Sequence, residues 1–207
     1  MDFFIRLRRR EYPVAAFTAV YVLAFTGWFL ISANYEFVVY VITMLVLIVL
    51  IGGSLRSVEY PIPMLWALSA WGLLHMAGGG VPVGGSVLYS FQVFPITPAA
   101  GELQLLKYDQ IVHAYGFGLT AWVLWYLLKR HYPMLVGTKT SLLYPALAAI
   151  GLGAVNEIIE FVAVLSVSDT NVGGYVNTAL DLVFNALGAV IAMAIIAAIG
   201  RPARGAS

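Results

Sequence analysis

Residues 176–199 read VNTALDLVFNALGAVIAMAIIAAI, and Asp181 is the only ionisable residue in this run. An α-helix needs about 20 apolar residues to cross the hydrocarbon core of a bilayer, so the run predicts a membrane-spanning helix. A helix is the expected structure because a backbone in lipid must satisfy its own hydrogen bonds. The stretch therefore predicts a membrane fold and an acidic group placed inside it.

The rest of the chain has the same character. Of its 207 residues, 61% are hydrophobic and 10% are charged, whereas a soluble domain carries about 25% charged residues. Six runs are apolar and long enough to span: 13–32, 36–55, 61–79, 106–128, 141–164 and 176–199. These runs predict an all-α, polytopic membrane protein whose residues 1–207 form one compact six-helix bundle. The first run is expected to be a retained helix rather than a cleaved signal sequence.

The basic residues predict the orientation of these helices. Ten of the eleven Lys and Arg residues flank one side of the six runs, and Lys107 alone falls on the other side. Short loops rich in Lys and Arg stay in the cytoplasm, so both termini are predicted to be cytoplasmic, in a prokaryotic cell membrane. The basic residues form no patch interleaved with aromatic residues, so no nucleic-acid partner is expected.

Four carboxylates and two histidines fall inside the third to sixth runs, and the predicted topology brings them to a shared depth on the extracytoplasmic side. They are His75, Asp109, His113, Glu157, Glu160 and Asp181. Asp109 and His113 are four residues apart, Glu157 and Glu160 are three apart, and Asp181 lies four residues from both Asn177 and Asn185. Because residues with these spacings share a helix face, each helix is predicted to present one polar stripe.

The charge of the clustered carboxylates must be offset by bound protons or ions, because the runs contain almost no Lys or Arg. A charge at bilayer depth costs roughly 2.5–3.5 kcal/mol, so four unpaired carboxylates would cost about 10–14 kcal/mol. Bound protons or a bound metal cation can remove this cost, and separate structural roles for the individual residues are the third interpretation. Carboxylate and imidazole ligands on facing helices suit Zn, Mn or Fe, which favours the metal.

Roles for the individual residues follow from the metal interpretation. The predicted ligands are His75, Asp109, His113, Glu157 and Asp181. Glu160 is the predicted general base, with a pKa tuned by burial. Groups that would orient the ligands are Asn177, Asn185, Tyr108 and Asn156. Asp169, in a second outer loop, is a peripheral candidate.

The long loop at about 80–105 is expected to lie on the bilayer surface or to cap the cluster.

The motifs resemble those of known families of bacterial membrane proteins. His75-Met-Ala-Gly-Gly79, Tyr108-Asp-Gln-Ile-Val-His113, Glu157-Ile-Ile-Glu160-Phe161 and Asn177-x-x-x-Asp181-x-x-x-Asn185-x-x-Gly188 resemble the YjdF-type (DUF2238) predicted inner-membrane proteins. The same order of motifs is similar to the VanZ-like family, which is associated with the cell envelope. The resemblance implies a polar site within the membrane and specifies no reaction.

Three kinds of function are compatible with these features. The favoured one is a metal-dependent hydrolase or transferase that acts on a lipid or lipid-linked substrate at the extracytoplasmic side. The alternatives are a proton-coupled transporter that uses a protonated carboxylate and histidine cluster, and a structural or sensory subunit of the envelope. The sequence is compatible with a monomer or an oligomer.

Overall fold

The computed structural model describes residues 7–33, 35–98, 103–166 and 174–200. Within them, the chain forms six long helices, three short 3-10 turns and one small hairpin. The helices are α1 (Tyr12–Ile31), α2 (Tyr35–Val58), α3 (Ile62–Gly80), α4 (Tyr108–His131), α5 (Thr140–Ser166) and α6 (Tyr175–Ile199). The strands are β1 (Pro82–Val83) and β2 (Ser86–Val87), and the 3-10 turns are Arg9–Glu11, Leu88–Ser90 and Pro133–Leu135.

Five segments of the described chain are long and apolar enough to cross a membrane. They are Arg9–Ile31, Val41–Val58, Tyr108–His131, Thr140–Val162 and Tyr175–Ile199. The predicted third helix is present as α3, but it is not among these five, since His75, Ser69 and the glycines near its end dilute its apolar content. The six predicted helices are confirmed, and the crossing of the membrane by α3 stays a prediction.

Hydrogen bonds between helices show the direction in which α3 runs. The hydroxyls of Thr18 in α1 and Ser69 in α3 lie 2.6 Å apart, and Phe25 of α1 packs at Gly80 at the end of α3. Thr18 precedes Phe25 in α1, and their partners Ser69 and Gly80 follow in the same order in α3, so α1 and α3 are parallel. On α4, Tyr126 donates to the Glu59 carbonyl oxygen before the start of α3. Helix α4 therefore runs antiparallel to α3.

One end of the bundle collects most of the described cations, and we call it the basic end. It holds Arg8, Arg9, Arg10, Arg56, Lys129, Arg130 and Lys139. Glu59 lies among them: Arg8 contacts its Oε1 at 2.6 Å and Arg130 contacts its Oε2 at 3.0 Å. Hydrogen bonds from these two guanidinium groups hold the pKa of the exposed Glu59 carboxyl below its usual value. This contact joins the start of α1, the α2–α3 connection and the end of α4.

Small residues allow α4, α5 and α6 to approach closely. A side chain at Gly188 of α6 would overlap the carbonyl of Ala114 in α4, and one at Gly153 of α5 would meet Asn185 of α6. Three alanines line the same interface with no exposed surface: Ala121, Ala149 and Ala189. Close backbone approach is the usual way in which helices pack in lipid. It brings the polar stripes of these three helices against one another.

Candidate metal centre

The site lies at the end of the bundle opposite the basic end, which we call the site end. Helix α4 contributes Asp109 and His113, one turn apart, with His113 Nε2 3.5 Å from Asp109 Oδ1. Asp109 lies in the first turn of α4, where the free N–H groups and the helix dipole favour a carboxylate. Both side chains are buried. The predicted i,i+4 stripe therefore faces the interior.

His113 is the centre of the site, because every other helix of the cluster reaches it. Its Nδ1 lies 2.9 Å from Oδ1 of Asn185 on α6 and 3.6 Å from Oε1 of Glu157 on α5. Its Nε2 lies 3.8 Å from Oε1 of Glu160. An amide oxygen only accepts hydrogen bonds, so this contact requires a proton on Nδ1, and the neutral ring then has its lone pair on Nε2. The lone pair is thus on the side of Asp109 and Glu160.

Several polar atoms of the site are buried without a hydrogen bond. They are both carboxylate oxygens of Glu157, Oδ1 of Asp181 and Nδ2 of Asn185. Asn156 and Asn185 lie near Glu157, but no hydrogen-bond geometry is formed with it. Asp181 and Asn185 have no exposed surface, and Glu157 is 6% exposed. Unpaired buried polar groups are costly, so a further partner for these oxygens would stabilise the site.

Asparagines support the other carboxylate oxygens. Asn156 donates to Oε1 of Glu160 over 2.8 Å, and Asn177 donates to Oδ2 of Asp181 over 2.6 Å. Lys107, at the start of α4, donates to Oδ1 of Asn177. Three of the four predicted orienting groups, Asn156, Asn177 and Asn185, therefore contact members of the cluster. The contacts fix the carboxylates without neutralising them.

The fourth predicted orienting group and one predicted ligand lie in a neighbouring aromatic cluster. Tyr89 contacts Nδ1 of His75 at 2.6 Å and donates to the His75 carbonyl oxygen at 2.9 Å. The His75 ring stacks on Trp71, and Tyr108 donates to the carbonyl oxygen of Leu74. His75 is half-buried and belongs to neither ligand group described below. Its role as a ligand stays a prediction, and Asp169 lies outside the described residues.

The loop between α3 and α4 closes over this aromatic cluster. Tyr89 is buried, with its ring against Gly78 so closely that any side chain there would overlap it. The loop also exposes Phe91, Phe94 and Ile96, which suits contact with a bilayer surface. Both predicted roles of the loop, at the bilayer surface and as a cap over the carboxylates, stay predictions.

Two contributors were not predicted from the sequence. Tyr89 is one, and no sequence signal separates it from the other aromatic residues of its loop. Gln110 is the other: it is fully buried, donates to the Gln104 carbonyl oxygen and accepts from the Lys107 backbone N–H. The sequence signal for Gln110 is a polar residue inside an apolar run, and it forms one half of a helix cap by accepting from the Lys107 N–H.

The donors fit a metal ion. Two sets of side chains each offer three ligand atoms within 4.8 Å of one another: Asp109, His113 and Asp181, and His113, Glu157 and Glu160. Ligands that share a cation at about 2.0–2.2 Å stand about 3–4 Å apart, so small rotations would close either set. Carboxylate oxygens with one imidazole nitrogen suit Zn, Mn or Fe. A divalent cation would also partner the unpaired carboxylate oxygens.

Fold and site together define a class: a helical, multi-pass membrane protein with a buried carboxylate and histidine cluster at one end of its bundle. The model of the DUF2238 family, described as predicted membrane protein, matches residues 14–202. The chain belongs to this family. No curated protein and no solved structure matches the chain. The resemblance to VanZ-like proteins stays a prediction.

Proposed function

We propose that the chain is a metal-dependent hydrolase or transferase whose cation is bound by the cluster around His113. One observation carries the proposal: the two oxygens of Glu157 and Oδ1 of Asp181 are buried without hydrogen bonds, next to an imidazole whose Nε2 lone pair is available. Hydrogen bonding within the cluster leaves these oxygens unpaired, and a divalent cation partners them. When bound, it supplies Lewis acidity for reaction at an ester or phosphoryl centre.

The proposed ligands are Asp109, His113, Glu157 and Asp181. Glu160 is the proposed proton acceptor, since its side chain is the most exposed of the four acids, at 12%. A carboxylate has two oxygens, so Glu160 can serve a cation through one and accept a proton through the other. Asn156 holds its Oε1 in a fixed position, which favours a defined direction for proton transfer.

The surroundings of Glu160 favour a lipid or lipid-linked substrate. Ile158, between Glu157 and Glu160 in α5, and Phe161, directly after Glu160, are each 61% exposed. In a membrane this face of α5 contacts lipid, which puts an apolar surface beside the cluster. Glu160 itself points to the opposite, buried side of the helix, so a lipid substrate would reach it between the helices. We place the site at the extracytoplasmic side, because the basic end of the bundle follows the positive-inside rule.

The alternative of a proton-coupled transporter has less support. A conduit must continue from the site to the basic end, and α4, α5 and α6 would have to line it. Residues 114–128, 141–156 and 182–199 cover this distance and contain no Asp, Glu, His, Lys or Arg. The cluster is therefore one-sided, which suits a binding or catalytic site better than a path.

Metal content of gently purified protein tests the proposal. We expect Zn, Mn or Fe in at least stoichiometric amount, lost in His113→Ala and retained in Glu59→Gln, which changes an acid at the basic end. Turnover is then sought by mass spectrometry of a total lipid extract incubated with the protein in nanodiscs. Glu160→Gln should abolish any turnover and still bind metal through Asp109, His113 and Asp181. Absence of metal after reconstitution would overturn the proposal, and proton flux in proteoliposomes would then be the first measurement.

A further inference from the structure

The site contains two ligand sets, and they share only His113. Asp109 and Asp181 join His113 on one side, between α4 and α6, while Glu157 and Glu160 join it from α5. All five side chains are buried. For a single cation to bind every carboxylate, the side chains of both sets would have to move towards one point. In their present positions the two sets form two neighbouring sites for a cation.

The two sets are built alike. In each, an asparagine one helical turn earlier donates to a carboxylate: Asn177 to Asp181, and Asn156 to Glu160. Each set also holds at least one buried oxygen without a hydrogen bond, on Asp181 and on Glu157. Carboxylates that ligate metals are themselves commonly oriented by such hydrogen bonds. Both sets therefore have the supporting contacts and the unpaired donors expected of a cation site.

Charge balance distinguishes one cation from two. If all four carboxylates are ionised, they carry four negative charges, of which one divalent cation offsets two and a pair offsets all four. Lys107 is the one Lys or Arg that the described residues place at the site end, and it contacts Asn177 rather than a carboxylate. With one cation, two carboxylates would still have to hold protons. A pair of divalent cations leaves no charge to be offset.

We propose that the site holds two divalent cations, one on Asp109 and Asp181 and one on Glu157 and Glu160, with His113 as a further ligand of one of them. The inference rests on the proposed function, because it takes the cluster to be a metal site. Helix bundles build two-metal centres from carboxylates and histidines on facing helices. His113 can serve one cation through Nε2, while its Nδ1 remains bonded to Asn185.

Stoichiometry of Mn²⁺ binding tests the pair. Metal-free full-length protein in detergent is loaded with Mn²⁺, desalted, and analysed for Mn per chain by elemental mass spectrometry. We expect two Mn²⁺ in the wild type and in the control Glu59→Gln, and one in each of Asp181→Asn and Glu157→Gln. Electron paramagnetic resonance should show exchange coupling in the wild type, since paired ions lie about 3.5–4 Å apart, and an uncoupled signal in both single variants.

The possible results distinguish the proposal of two cations from the proposal that the cluster binds metal at all. One Mn²⁺ per wild-type chain would overturn the pair and leave the proposed metal site standing. Two ions without exchange coupling would also overturn it, because the second ion would then lie elsewhere. No bound metal would overturn both proposals. The wild-type measurements decide by themselves, so the inference remains testable if a variant fails to give monodisperse protein.

Discussion

His113 donates a hydrogen bond from Nδ1 to Oδ1 of Asn185 over 2.9 Å, which joins α4 to α6. The bond orients the imidazole so that Nε2 faces Asp109 and Glu160, and in the neutral ring Nε2 carries the lone pair that a cation needs. Histidine ligands of metals commonly donate their other N–H in this manner, and loss of the acceptor weakens metal binding about 10–100-fold.

Asn185→Ala should therefore lower metal affinity by about 10–100-fold. Asn185→Asp keeps an acceptor for the Nδ1 proton, so its metal affinity should fall by less than that of Asn185→Ala. Competition with a fluorescent chelator measures both affinities. Equal affinity in Asn185→Ala and the wild type would contradict the role assigned to this hydrogen bond.

Gly188 should tolerate no side chain. A Cβ there would overlap the carbonyl of Ala114, so Gly188→Ala must push α4 and α6 apart. We expect a loss of about 1–3 kcal/mol in stability, as for other overpacked sites, and weaker metal binding because Asn185 moves with α6. Thermal unfolding in detergent measures the first effect.

Gly151→Ala is the matched control for that substitution. It adds the same methyl group within a helix, at a position where a Cβ would meet nothing within 4 Å. Its stability should equal or slightly exceed that of the wild type, because alanine is the better helix former. Similar losses in both variants would show that helix propensity, rather than contact with Ala114, controls the result.

The Glu59 contact should stabilise the bundle in a pH-dependent manner. Arg8 and Arg130 hold the pKa of Glu59 below its ordinary value of 4.5. A carboxyl with a lowered pKa in the folded state stabilises that state above its unfolded pKa, and this contribution disappears as pH falls through the folded pKa. Thermal stability of Glu59→Gln should lie below that of the wild type at pH 7, and the two should converge at more acidic pH. The difference should be small, because the side chain is exposed and screened by solvent and salt.

His75 should be dispensable for metal binding. Its Nδ1 contacts Tyr89, and it belongs to neither ligand set. We expect His75→Gln to retain the metal content of the wild type. Tyr89→Phe removes both contacts of the hydroxyl with His75 and should cost about 1 kcal/mol of stability, with metal content also unchanged. Loss of metal in His75→Gln would restore His75 as the ligand that the sequence predicts.

The orientation and the crossing of α3 can be tested together. The sequence contains no cysteine, so single cysteines can be introduced at Pro98, in the loop after α3, and at Met134, between α4 and α5. Both positions are exposed. A membrane-impermeant maleimide added to whole cells should label Pro98→Cys and spare Met134→Cys until the cells are lysed. Since Glu59 lies with Arg130 at the basic end, this pattern requires α3 to cross the membrane, and the reverse pattern would invert the predicted topology.

The sequence by itself determined the helices and the polar stripes on four of them. Apolar length and the spacing of three or four residues are local properties, so the helix boundaries agree with those predicted to within a few residues. It also identified all four carboxylates of the cluster and His113, because a charged group within an apolar run is costly and conspicuous. Because successive membrane helices alternate in direction, the number of helices also predicted that these five residues lie at one end of the bundle.

Only the tertiary structure decided how these groups meet. The rotation of each helix about its axis depends on contacts such as that of Gly188 with Ala114, which join residues far apart in the chain. Those contacts place His113 between two sets of carboxylates and leave His75 with Tyr89. Both histidines lie at a similar depth in apolar helices, and hydropathy and spacing carry no information about which one faces the carboxylates.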